Sequence, residues 1–105
     1  MDKEILIRQV ALTFNGVVES PHFKKISFRT HKNKIFATLD INKKALTLKF
    51  NAINQSVFCD LGKEGVFPVP GGWGRKGWTT FMYEKLEEDI LKDALTVSFN
   101  TIIEK

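Results

Sequence analysis

Ile26-Ser27-Phe28-Arg29-Thr30-His31, Ile35-Phe36-Ala37-Thr38-Leu39 and Leu46-Thr47-Leu48-Lys49-Phe50 fall within a span of 25 residues. In the first run Ile26 and Phe28 alternate with Ser27, Arg29 and His31. In the third, Leu46, Leu48 and Phe50 alternate with Thr47 and Lys49. Side chains that alternate with period two point to opposite faces of a pleated strand, one packed and one wet. Between the runs stand His31-Lys32-Asn33-Lys34 and Asp40-Ile41-Asn42-Lys43-Lys44. These are polar and too short for crossover connections, so they read as tight turns and the strands as an antiparallel meander. A shorter strand within residues 17–23, interrupted by Pro21, brings the meander to about four.

Helices flank this span. Leu6, Val10 and Phe14 recur every four residues with Ile7 and Ala11 alongside, which predicts an amphipathic helix over residues 3–15 with Asp2 as its cap and Asn15-Gly16 as its stop. Asn51 is placed to cap a second helix whose apolar stripe is Ile53, Val57 and Leu61, ending near Gly62. Residues 66–77 are dense in glycine and proline and read as a loop. Trp78-Thr79-Thr80-Phe81-Met82-Tyr83 reads as one more strand, and residues 87–103 as a last helix with Glu87, Glu88 and Asp89 at its positive end. The expected architecture is α+β: a single domain over residues 1–105, with a meander of about four strands, one or two more after the second helix, and three helices packed on the sheet.

A chain of 105 residues with 43% hydrophobic and 27% charged residues has the composition of one globular core, which excludes wholesale disorder. No uncharged run is long enough for a membrane span, and Met1-Asp2-Lys3-Glu4 lacks the look of a signal peptide. The single cysteine, Cys59, suits a reducing compartment, so a cytoplasmic location is expected. Oligomeric state is not legible.

The net charge of +4 is unevenly spread. Residues 22–49 hold eight bases against Asp40 alone, whereas residues 84–105 hold six acids and three lysines. Such a dipolar chain is oriented by a polyanion. Lysines on turns are also what any solvated face shows.

Gly65-Val66-Phe67-Pro68-Val69-Pro70-Gly71-Gly72-Trp73-Gly74-Arg75-Lys76-Gly77-Trp78-Thr79 resembles the signature of the MmcQ/YjbR family. Pro21-His22-Phe23, Ser27-Phe28-Arg29, Lys34-Ile35-Phe36-Ala37-Thr38-Leu39-Asp40 and Leu46-Thr47-Leu48-Lys49 match in the family's order. The resemblance covers nearly the whole chain. It implies a compact α+β domain and DNA binding through a double-wing motif. At Lys24-Lys25 the chain departs from the glycine and basic residue that relatives often carry there, which bears on the turn geometry.

Catalysis finds little support. His22, His31 and Cys59 match no zinc spacing, and Cys59 lies in a helical pattern beside Phe58, where a small buried thiol is the commoner case. Gly72, Gly74 and Gly77 fit G-x-G-x-x-G, but prolines precede the loop and a strand follows it, against a dinucleotide site. A non-enzymatic domain without cofactor or metal is therefore expected. The glycine loop has two readings: a sharp turn whose tryptophans cover the sheet, or a concavity of amides with Arg75 and Lys76 for an anion, with an exposed tryptophan beside it for a flat ring.

Thirteen lysines to three arginines favour phosphate contact over base readout. The candidate DNA-binding residues are Lys24, Lys25, Arg29, Lys32, Lys34, Lys43, Lys44, Trp73, Arg75 and Lys76. The alternative partner is a small molecule or a protein held by the Trp73–Trp78 loop, in which case that loop borders a cleft and the lysines are scattered.

Overall fold

In the computed structural model, residues 2–104 are described, with His22 described in its backbone alone. Helix α1 (Lys3–Thr13) opens the fold. Asp2 caps it, one carboxylate oxygen accepting the Glu4 and Ile5 N–H groups at 2.8 and 3.3 Å. Strands β1 (Val18–His22), β2 (Lys25–Arg29), β3 (Ile35–Asp40) and β4 (Ala45–Lys49) then form the expected meander. Helix α2 (Ala52–Gly62) starts at Asn51, whose side chain accepts the Asn54 N–H at 2.8 Å. The stretch read as a loop contains a short strand, β5 (Val66–Pro68), and a one-turn helix, α3 (Gly72–Arg75). Strand β6 (Trp78–Met82) and helix α4 (Glu88–Ile103) complete the chain. The six strands pair antiparallel in the order β1-β2-β3-β4-β6-β5. Pro21, which lacks the N–H a central strand needs, sits in the edge strand β1.

One face of the sheet carries the core. Phe28, Ala37, Leu39, Leu46, Leu48 and Phe81 are fully buried there under the helices. Phe36, at the bulge in the β2–β3 pairing, meets Phe14 and Phe99 at ring separations of 6.1 and 5.5 Å. Ser98 of α4 ties this layer down: its hydroxyl donates to the Phe36 carbonyl at 2.8 Å and accepts the Lys49 N–H at 3.0 Å.

Helix α2 departs from expectation. Ile53, Val57 and Leu61 face outward, Ile53 being 76% exposed, while Phe58 is the buried residue. Two anchors turn the helix this way. Phe58 stacks on Phe50 at 5.0 Å and meets Phe81 at 5.9 Å. On the same side, the Gln55 amide donates to the Gly74 carbonyl at 2.9 Å and to the Thr79 hydroxyl at 3.1 Å.

Candidate binding face

Among the described residues, none of the helices α1, α2 and α4 covers the opposite face of the sheet, and α3 reaches its edge with Trp73. The strand registers align Ser20, Ser27, Thr38, Thr47 and Thr80 in one row across five strands, and Phe67 of β5 extends it. Ile35, Ala45, Trp78 and Met82 stand half-buried around that row. Among the described strand residues, Lys25, Arg29 and Lys49 supply the bases of this face and Asp40 its acid.

A groove of about 700 Å³ runs over this surface. Phe67, Val69, Trp73 and Trp78 line one side; Thr47, Thr80 and Met82 are among its floor; Lys25, Lys43 and Asp40 stand at one end. Trp73 is 62% exposed. A lysine ammonium lies over each indole, that of Lys76 at 5.4 Å from the Trp73 ring and that of Lys49 at 5.6 Å from the Trp78 ring.

The glycine loop is held by its own backbone. The Arg75, Lys76 and Gly77 N–H groups bond to the Gly71, Gly72 and Gly74 carbonyls at 3.4, 3.1 and 3.0 Å. Those amides are spent inside the loop, so the anion-binding concavity, the second of the two readings of this loop, does not form from them. Close approach explains two glycines. A Cβ on Gly77, at φ +104°, would lie 1.8 Å from the Phe50 carbonyl oxygen, and one on Gly74 would lie 2.0 Å from that of Val69. The Lys49 ammonium also bonds the Lys76 carbonyl, so the loop is clamped to β4.

The candidate bases divide into two groups. Lys24 and Lys25 belong to the β1–β2 hairpin tip, Lys43 and Lys44 to the β3–β4 tip. The registers put both tips at the same end of the sheet, about 10 Å apart at the usual strand spacing. Lys32 and Lys34, in the β2–β3 turn, and Arg75 and Lys76, in the glycine loop, lie at the opposite end, a strand length of about 16 Å away. Arg29 belongs to that far end, its guanidinium held by the Ser20 hydroxyl at 3.2 Å and the Asn33 side-chain oxygen at 3.4 Å. The ten residues therefore do not form one continuous strip.

Several features of the site were not in the sequence reading. Phe23, at the β1–β2 tip, is 96% exposed and has φ +59°. A bulky residue in the left-handed region is strained, and such positions concentrate at functional sites. The glycine that relatives often carry falls one position later, at Lys24, so the sequence held no direct signal for Phe23. Phe67 and Met82 reached the groove from positions with no signal of their own. Asp40 is partly spoken for, one of its oxygens accepting the Lys43 N–H at 3.0 Å.

Burial pushes the Cys59 thiol up from its ordinary value. The Tyr83 phenol is also raised, first by burial and then by the negative charges of Glu4, Glu84, Asp2 and Asp40. Among the described residues no three His, Cys, Asp or Glu side chains come together as a metal site. No described helix is long and apolar enough to cross a membrane.

No curated protein matches the chain. A crystal structure of a Deinococcus radiodurans protein with a DUF419 domain is similar in fold: the TM-score is 0.80 at 19% identity, over 94% of this chain and 77% of that one. The YjbR family model matches residues 12–101, which takes in the strands, the glycine loop and nearly all of α4. The chain belongs to the YjbR family.

Proposed function

We propose that this domain is a non-enzymatic binding module that holds the phosphate backbone of DNA, without reading base sequence, through its two lysine-bearing hairpin tips. The observation that carries this reading is the placement of Lys24, Lys25, Lys43 and Lys44 on neighbouring tips at one end of the sheet. Lysine is a mobile point charge on a flexible stem, suited to phosphate and poorly suited to the bidentate recognition of bases. Phe23 projects from the same end, and an exposed apolar side chain among bases is a device used against base steps. Arg29, Lys32, Lys34, Trp73, Arg75 and Lys76, named as candidates from the sequence, fall outside this footprint. Against catalysis stands the raised pKa of Cys59, which disfavours the thiolate a nucleophile needs.

The two ends of the sheet supply a matched test. One variant replaces Lys24, Lys25, Lys43 and Lys44 by glutamine, the other Lys32, Lys34, Arg75 and Lys76. Each removes four charges. With about four phosphate contacts, the log–log plot of affinity against salt has a slope near −3.6, so binding to random-sequence duplex weakens about 100-fold between roughly 50 and 200 mM salt. The tip variant is expected to flatten that slope and the far-end variant to keep most of it. Equal losses from both variants, or a wild-type affinity that does not respond to salt, would overturn the reading.

A further inference from the structure

We infer that the groove on the uncovered face is a binding site for a planar aromatic molecule bearing an anionic group, sharing Lys25 and Lys43 with the proposed hairpin-tip contacts but adding the indole wall at the other end. At about 700 Å³ it is within the usual size of small-molecule sites, which are apolar with a few placed polar groups. Its composition is graded from end to end. Trp73, Trp78 and Phe67 offer flat apolar surface at one side, and Thr47 and Thr80 offer hydroxyls in the middle. Lys25 and Lys43 bring two ammonium groups to the other end, against the single carboxylate of Asp40, which already accepts the Lys43 N–H. Charge complementarity at that end selects an anion, and the indoles at the opposite side select a ring that can stack.

The glycine loop gives this wall its rigidity. Clamped by the Gln55 amide to the Gly74 carbonyl and by its own turn hydrogen bonds, it holds Trp73, 62% exposed, at the side of the groove. A loop serving only to reverse the chain has no need of a tethered, exposed indole.

Three ligands that share one ring and differ in charge test the inference: indole-3-acetate, indole and tryptamine. Backbone and indole N–H chemical shifts of the full chain are followed by NMR. The expected order is indole-3-acetate, then indole, then tryptamine, with about 10-fold between the first and last. The shifts should fall on Trp73, Trp78 and residues of β4 and β6. The double variant Lys25→Gln/Lys43→Gln should abolish the order while leaving indole binding in place. Trp73→Ala should weaken all three ligands yet leave duplex binding and its salt slope unchanged, which separates this site from the proposed tips. Equal affinities, a preference for tryptamine, shifts confined to other surfaces, or no binding of any ligand would overturn it. A planar anion could be a free molecule or a nucleotide of a bound strand. Shifts of the Trp73 and Trp78 indole N–H groups on adding a short single-stranded oligonucleotide identify the second source, and shifts confined to the tips the first.

Discussion

The two faces of the sheet are made by the same strands and have opposite chemistry. Along β4, Leu46 and Leu48 are fully buried beneath the helices, while Ala45, Thr47 and Lys49 are half-buried on the open side. Along β6, Thr79 and Phe81 go under and Trp78, Thr80 and Met82 come out. The covered face holds the large close-packed side chains whose burial drives folding. The open face is only partly buried, apart from Ser27, which is fully buried. Hydroxyls in register, an exposed indole and cations at the ends are what stand there.

The sharpest way to break this contrast is a pair of truncations. Phe81→Ala, beneath the helices, is expected to cost about 3–5 kcal/mol in urea unfolding, and Thr47→Ala, on the other side of the sheet, less than about 1 kcal/mol. Comparable costs would mean that both faces carry stability. A smaller effect probes the tie between the layers. Ser98→Ala leaves the Phe36 carbonyl and the Lys49 N–H without their shared partner, and a loss of about 1–3 kcal/mol is expected by thermal or chemical denaturation. Less still is expected from Asn51→Ala, where removal of the α2 cap should lower stability by about 1 kcal/mol. The smallest effect is chemical. Because burial raises the Cys59 pKa, less thiolate is present at neutral pH, so iodoacetamide should alkylate the folded chain more slowly than the urea-unfolded one. The rate–pH midpoint of the folded chain should lie above the roughly 8.5 of a free thiol. A midpoint below that value would mark an activated cysteine and reopen the question of catalysis.

Much of this contrast is visible in period-two alternation. Ile26 and Phe28, then Leu46 and Leu48, mark the covered side, and Thr47 and Lys49 mark the other. Capping was equally legible, since Asp2 and Asn51 accept the N–H groups their chemistry suits them for. Helix α2 was misread because an apolar stripe says only which residues could be buried. Ile53, Val57 and Leu61 lost that place to Phe58, with its two ring contacts, and to Gln55, with its loop hydrogen bonds. The site was legible in part. Trp73 and the turn lysines stood out as candidates, but nothing local tells that the β1–β2 and β3–β4 tips share an end or that the glycine loop lies at the other.

Local chemistry, carried in spacing and composition, was enough for the meander strands, the two helix caps and the turns between strands, because each depends on residues a few positions apart. Which lysines stand together, which side of α2 is inward and whether Trp73 and Lys43 line one groove depend on strand order and helix rotation. Those are settled by contacts between residues far apart in the chain, where packing and hydrogen bonding outweigh any single segment's preference.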